Sequence, residues 1–432
     1  MPNCAQALFI AAPASGQGKT TITAGLAYYY RQQGKRVRVF KTGPDFIDPM
    51  LHQLASGHPV YQLDLWMGGE AHCRQLLADA AQDADIILIE GVMGLFDGDP
   101  SSADLARLLG VPILAVIDAS SMAQTFGALA HGLATYQDDL PFFGILANRV
   151  GSDIHADMIR DSVRADTPLV GIIKRDANAG MPERHLGLVQ ATEIDDIEQR
   201  LTAMAVQLST TDLVNMPLPE VCFDAPQQAE TQPLLAGKTI AIAKDAAFSF
   251  LYQANIDCLN QLGASLRYFS PLANDALPDC DAVYLPGGYP ELHLTSLSQA
   301  TQTKADIHRH VTAQKPLLAE CGGLLVLLDT LTDKQGATEP MWGLVQGNAV
   351  MQQRFAALGM QSMSLPEGTL HGHTFHYSKL STHLTPIAQG INPHGKGVSE
   401  SAYRIHRLTA SYMHSYFPSN PTAVARLFSS TD

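Results

Sequence analysis

The feature that most constrains this chain is an alternation that runs, lapses and restarts. Short β-rich runs, each closing on a loop of Gly, Asp, Pro or Asn, are separated by helical stretches. In the first half the runs are "ALFIAAP", "RVRVFKT", "DIILIEG", "PILAVID" and "FFGILANRV", with helices expected over Thr20–Gln33 and Ser121–Tyr136. Alternation of this kind predicts a parallel sheet covered by helices, with ligands at the carboxyl ends of its strands. It lapses after about residue 205 in a stretch rich in Pro, Gln and Thr, read as a linker over 206–237. It restarts with "KTIAIAKD", a helix over Ala247–Leu262, "SLRYFSP", "DAVYLPGGYPE" and "PLLAECGG", and ends in β-like pieces at Gly343–Met351, Gly368–Ser378 and Tyr403–Ile405. The expectation is two α/β domains, 1–205 and 238–432, since 432 residues exceed what one ordinary core holds.

Charge narrows the partners. A net charge of -14 argues against nucleic acid or an anionic membrane surface. An anionic small substrate stays open, because it needs only a local cluster of cations and amide donors. No apolar stretch reaches the roughly 20 residues that span a bilayer, and the apolar start lacks the basic residues of a signal peptide. Six cysteines (Cys4, Cys73, Cys222, Cys258, Cys280 and Cys321) are scattered without CxxC or zinc-type spacing. Reduced thiols in a cytoplasmic protein are therefore expected.

"PASGQGKTT", Pro13–Thr21, follows the first strand and opens the first helix. It matches G-x-x-x-x-G-K-[ST] except that Pro13 stands at the first Gly. Ser15, Gly16, Gln17, Gly18 and Thr21 would wrap the phosphates of ATP with backbone N–H groups. Lys19 reaches the β- and γ-phosphates, and the Thr20 hydroxyl suits Mg²⁺. Asp45 in "KTGPDFIDP" and Glu90 in "LIEGVMGLFDG" would complete a magnesium site beside Lys41, with Asp48 and Asp97 close enough to be the ligands instead. Asn148, ending "GILANRV", is placed either to read an adenine edge or as a turn residue.

A second constellation centres on Cys321 in "LLAECGGLLVL". A thiol between an apolar strand and a helix, followed by Gly322 and Gly323, has the form of a nucleophile elbow, and the helix N-terminus is expected to lower its pKa. Backbone N–H groups of Gly287 and Gly288 in "LPGGYPE", with that of Gly322, would form an oxyanion hole. A base is required, and "RIHRLTASYMHSYF" offers His406 and His414.

An elbow Cys, a PGG loop and a late His resemble the class I glutamine amidotransferases, which form a γ-glutamyl thioester and release ammonia. Many of those carry His-x-Glu, whereas Ser415 and Tyr416 follow His414 here. Joined after a P-loop amide ligase, the pattern resembles the cobyrinic acid a,c-diamide synthase family of cobalamin biosynthesis. The likeness runs in order through "PASGQGKTT", "FKTGPDFIDPMLH", "EGVMGLFDG", "PERHLGL", "LPGGYPEL", "AECGGL", "GHTFHYS" and "ASYMHSYF". In "GHTFHYS" the family has Glu where Thr374 stands, so no chemistry is assigned to His373 or His376.

The resemblance implies an N-terminal P-loop NTPase sheet and a C-terminal class I glutamine amidotransferase domain. It implies that ATP, with Mg²⁺, activates acetate carboxylates of cobyrinic or hydrogenobyrinic acid as acyl phosphates. Ammonia from glutamine then displaces phosphate, which needs a protected path between the domains. Lys19 and Lys41 would neutralise charge at the transferring phosphoryl group, Cys321 would be the nucleophile and His414 its base. The basic stretch Arg175–His185 would hold the tetrapyrrole polycarboxylate or be a solvated loop, and a homodimer is compatible with the family. Cobyric acid synthase and cytidine triphosphate synthase share the two activities. A partition-type P-loop switch is the rival outside enzymes, but Ala14 occupies the place of its early Lys.

Overall fold

The strand β1 (Asn3–Ala11) is apolar on both faces, as a strand buried on both sides of a parallel sheet requires. In the computed structural model residues 3–181, 194–227, 231–393, 395 and 399–429 are described. The chain divides into two units, one of Met1–Leu65 with Gly69–Gln227 and one of Trp66–Gly68 with Gln228–Asp432.

In the first unit β1 is followed by α1 (Lys19–Gln32), β2 (Val37–Thr42), α2 (Ile47–Ser56), β3 (Tyr61–Leu63), α3 (Gly69–Ala80) and β4 (Ile86–Glu90). Then come α4 (Ser102–Leu109), β5 (Ile113–Asp118), α5 (Gln124–Thr135), β6 (Phe142–Val150), α6 (Asp153–Ser162), β7 (Leu169–Lys174), α7 (Ile197–Ser209), α8 (Asp212–Asn215) and β8 (Glu220–Phe223). The strand order is β3-β2-β4-β1-β5-β6-β7, all parallel, and β8 pairs antiparallel with the start of β1. Period-two alternation sends Phe9, Ile87, Ile89 and Ile117 into one core layer and Leu8, Ile10, Leu88 and Val116 into the other. Helices on both faces seal these layers, so polar chemistry is left to the strand ends.

Two expectations change here. The 206–237 stretch is not a plain linker: it holds the end of α7, all of α8 and β8, and the first unit runs to Gln227. Alternating Val221 and Phe223 bury against the sheet, which a composition rich in Pro and Gln concealed. Nor are all thiols reduced. Cys4 and Cys222 face each other in the β1–β8 register and are joined as a disulfide. The other four cysteines are free and buried.

The second unit contains β9 (Thr239–Ala243), α9 (Gln253–Gln261), β10 (Ser265–Phe269), β11 (Ala282–Leu285), α10 (Leu294–Ser298), α11 (Thr301–Thr312), β12 (Leu317–Glu320) and α12 (Gly322–Leu327). A β-rich tail follows: β13 (Thr330–Thr332), β14 (Thr338–Pro340), β15 (Asn348–Met351), β16 (Ala357–Leu365), β17 (Gly368–His376) and β18 (Ser378–Ser381). It closes with β19 (Ala388–Ile391), β20 (Ser401–Ile405), β21 (Leu408–Ser411), β22 (His414–Ser415) and α13 (Pro421–Phe428). The main sheet is ordered β10-β9-β11-β12-β21-β20-β19-β16-β17-β22. Its β10-to-β21 part is parallel and the rest antiparallel. The strands β14-β13-β15-β18 form a separate small sheet. The helix expected from Ala247 starts only at Gln253, because 247–252 is a loop whose Phe250 bridges to Gly287. Among the described residues no helix is long and apolar enough to cross a membrane.

Candidate active sites

The loop between β1 and α1 lies at the carboxyl end of its sheet. Gly16 and Gly18 hold φ of 77° and 94°, left-handed values that favour glycine and turn the loop back on the helix. Gly18 caps α1 with no side-chain hydrogen bond, so the first-turn N–H groups face the cleft rather than a capping oxygen. The Lys19 ammonium donates to Met93 O at 2.6 Å and to Ala14 O at 3.3 Å. Pro13 is accommodated by a glycine elsewhere: a Cβ on Gly94 would meet Pro13 O at 2.6 Å.

This loop borders a cleft of about 670 Å³ lined by Ser15, Gly16, Gly18, Lys19, Thr20 and Thr21, and also by Lys41, Asp45, Asp48, Glu90 and Asn148. The Thr20 hydroxyl donates to Glu90 Oε1 at 2.8 Å, and the Lys41 ammonium donates to the same oxygen at 2.8 Å and to Asp48 Oδ2 at 2.7 Å. Asp45 is 3.7 Å from Lys41 through Oδ2, while its Oδ1 accepts the backbone N–H groups of Ile47 and Asp48 and so caps α2. Asp97 instead accepts from Gly94 N within its own loop. Thr20 and Glu90 are therefore brought together as expected, with Asp48 nearer to Lys41 than Asp45 is.

Electrostatics follow from that packing. Burial alone would lower the Lys41 ammonium, but Asp48, Glu90 and Asp45 outweigh it and hold its pKa well above the ordinary value. Burial would raise Glu90, yet Lys41 and then His52 hold it below the carboxylate range. Burial lowers the pKa of Lys19, with Glu90 opposing. Burial and then Asp48 raise that of Asp45. A hydroxyl beside an ionised carboxylate at a phosphate loop is a hard-oxygen donor set that fits Mg²⁺, which takes one or two carboxylates and keeps several waters.

Asn148 reaches the cleft, but its amide is used locally. Its Nδ2 donates to Gln17 O at 2.9 Å and its Oδ1 accepts from Arg149 N. Arg149, at φ 57°, adds a bond to Gly16 O, and Gln17 Oε1 accepts from Asp118 N. The β5 and β6 ends thus clamp the phosphate loop, a role that no local motif announces. "PERHLGL" lies outside the described residues.

In the second unit Cys321 joins β12 to α12 at φ 46° and ψ -105°. A non-glycine residue there is strained, a condition concentrated at functional turns. Its N–H is anchored by Ser411 O on the neighbouring strand at 2.8 Å. A Cβ on Gly287 would lie 2.3 Å from His414 Cε1 and 3.4 Å from Cys321 Cβ, so the glycine sits in the space between thiol and imidazole. A Cβ on Gly322 would be 2.9 Å from Gly288 N, which brings the PGG loop onto the elbow.

His406 is excluded from this cluster by register. β21 runs parallel to β12 with Leu408 opposite Leu317 and Ser411 opposite Glu320. His406 precedes β21 and so lies beyond the Leu317 end of β12. That end alone is roughly 13 Å from Cys321 at about 3.3 Å per residue.

One expectation about the thiol is overturned. Burial, and then Glu291, push the Cys321 pKa up rather than down, although Gly322 N–H bonds to the sulfur. α12 is short and its turn is buried, so desolvation of a thiolate outweighs the helix end. Burial likewise drives His414 well below its ordinary value, with His373 and His376 adding to it.

No Glu follows His414, and other groups hold its surroundings. His373 lies opposite it in the β17–β22 register, with the rings stacked 4.9 Å apart. Glu320 accepts Ser415 N at 2.9 Å and the Tyr284 hydroxyl at 2.7 Å. Glu320 is the one charged residue in the run "PLLAECGG", which is the signal in the sequence for its buried polar role. His376 pairs with Glu400 at 2.9 Å and stacks on Tyr412.

Comparison with known proteins matches both halves. Residues 8–189 match the CobQ/CobB/MinD/ParA nucleotide binding domain and residues 239–422 the CobB/CobQ-like glutamine amidotransferase domain. The chain is 58% identical over 425 residues to hydrogenobyrinate a,c-diamide synthase of Stutzerimonas stutzeri, covering 98% of both chains. It is 56% identical to the enzyme of that name from Pseudomonas aeruginosa, over 98% of this chain and 97% of the relative. Cobyrinate a,c-diamide synthase of Herminiimonas arsenicoxydans is 50% identical, over 99% of this chain and 97% of the relative.

Proposed function

The chain belongs to the hydrogenobyrinate and cobyrinate a,c-diamide synthase family, and from that premise we propose that it amidates two acetate carboxylates of such a macrocycle, using ATP and glutamine. A carboxylate resists amidation at neutral pH until one oxygen becomes a leaving group. In the first unit the α1 N-terminus and phosphate loop bind ATP, Lys19 neutralises the γ-phosphoryl group, and the substrate carboxylate attacks it to give an acyl phosphate. Thr20 and Glu90 would hold magnesium, with Asp45 and Asp48 close by, and the ion would supply charge neutralisation at the phosphate oxygens. Lys41, expected at the transferring phosphoryl group, is instead engaged by Asp48 and Glu90. It serves as counter-ion to the acid cluster, which keeps Glu90 ionised and in place.

In the second unit Cys321 attacks the glutamine carboxamide while His414 accepts its proton and returns it to the leaving ammonia. Backbone N–H groups of Gly287, Gly288 and Gly322 stabilise the tetrahedral oxyanion. Water then releases glutamate, and ammonia displaces phosphate from the acyl phosphate.

The observation that carries this reading is the cluster of Cys321, at a strained elbow, with His414 across Gly287. The relatives at 58% and 56% identity bear the hydrogenobyrinate name, so the cobalt-free macrocycle is the substrate put first. Mass spectrometry of products formed from each macrocycle with ATP and glutamine tests the choice. Cys321→Ala should abolish glutamine-driven amidation and leave ammonia-driven amidation largely intact; equal loss with both donors would refute the two-site reading.

A further inference from the structure

The buried polar cluster around Lys41 and Glu90 contains a histidine to which the mechanism above gives no work. His52 is fully buried on α2, one helical turn after Asp48, so both side chains leave the same face of the helix. Its Nε2 contacts Glu90 Oε2. Glu90 Oε1 is already shared by the Thr20 hydroxyl and the Lys41 ammonium. An ionised carboxylate can only accept, so Nε2 is the donor in this contact. Among the described residues His52 Nδ1 has no hydrogen-bond partner, which leaves the Glu90 contact as the polar anchor of the ring.

We propose that His52 is a positioning residue of the ATP site: by holding Glu90 Oε2 it presents Oε1 to Thr20 and to the bound cation. The inference rests on the reading of Thr20 and Glu90 as the magnesium site. Among the described residues His52 is the hydrogen-bond partner that Glu90 Oε2 has, so removing the imidazole frees that oxygen. The carboxylate can then turn both oxygens to Lys41, and the oxygen beside Thr20 is lost to the cation. Groups that orient a ligating carboxylate act on metal affinity in this way. The placement also explains why α2 enters the site twice: Asp48 fixes the far side of Lys41 while His52 fixes the far side of Glu90.

The test titrates Mg²⁺ by calorimetry into the full chain saturated with a non-hydrolysable ATP analogue, alongside the Mg²⁺ dependence of ammonia-driven amidation. His52→Leu should raise the Mg²⁺ dissociation constant roughly 10- to 100-fold, with a smaller change in kcat at saturating Mg²⁺. His52→Gln, whose amide nitrogen reaches the place of Nε2, should stay close to wild type. His52→Asn, which reaches only the place of Nδ1, should behave as Leu does. Unchanged affinity in folded His52→Leu overturns the proposal. If that variant does not fold, equal affinities in the Gln and Asn variants overturn it. Glu90→Gln separates the two readings: unchanged Mg²⁺ affinity there refutes the magnesium site and this role with it. Weakened binding in Glu90→Gln beside an unaffected His52→Leu refutes the His52 role alone.

Discussion

Burial works against the thiolate of Cys321 and against the imidazolium of His414 alike, so proton transfer is expected to accompany attack rather than precede it. His414→Asn should slow glutamyl thioester formation by roughly 100- to 10,000-fold, the range for a lost general base, and spare ammonia-driven synthesis. His406→Asn should change little. Single-turnover trapping of the thioester checks both, and normal thioester formation in His414→Asn would rule the base out. The stacked neighbour His373 gives a stability signature. Burial lowers its pKa to about 3, so its contribution is fully present above the ordinary value of 6.5 and is lost as pH falls through that window. The slope approaches about 1.4 kcal/mol per pH unit for one group. Denaturant unfolding of wild type and His373→Asn between pH 4 and 8 should show the gap between them changing with that sign. A pH-independent gap would mean that His373 is not held neutral.

At the scale of elements, glycine decides whether strand and helix can meet at the elbow. A Cβ on Gly323 would lie 2.2 Å from Leu285 O, so α12 can close on β11 only with no side chain there. Gly323→Ala should cost about 1–3 kcal/mol, as overpacking does, and should lower glutaminase activity by displacing Cys321. A stable, fully active variant would show that the turn yields. The β1–β8 pair carries a second expectation. Its disulfide closes a loop across nearly the whole first unit, so reduction should weaken that unit by about 2–4 kcal/mol. Denaturation with and without reductant, with Cys222→Ser as control, measures it. Equal stability in both conditions would show that the backbone pairing of β8 suffices.

For the whole molecule, Lys19→Ala should remove amidation with either nitrogen donor, since no acyl phosphate forms, while glutamine hydrolysis persists. Full ammonia-driven synthesis in that variant would remove the phosphate-loop assignment. Both loci were legible in the sequence, because each is a local pattern of apolar strand, glycine turn and helix start, and local patterns need no distant partner. "PASGQGKTT" and "AECGG" therefore announced Lys19, Thr20 and Cys321 directly. What the sequence could not express was pairing across long separations. The family resemblance had already pointed to His414 over His406, and the parallel register of β12 with β21 supplies the physical reason. Glu320 and His52 came into view only where strands and α2 deliver them to the groups they touch, and His373, which the sequence left without a role, only where β17 sets it against His414. The thiol pKa reversed for the same reason: a helix start is written in a few residues, whereas desolvation is set by everything that packs around them. The sequence by itself determined the two α/β units and the chemistry each can perform. Only the tertiary structure decided which side chains hold the reacting groups in place, because burial and register belong to the folded whole.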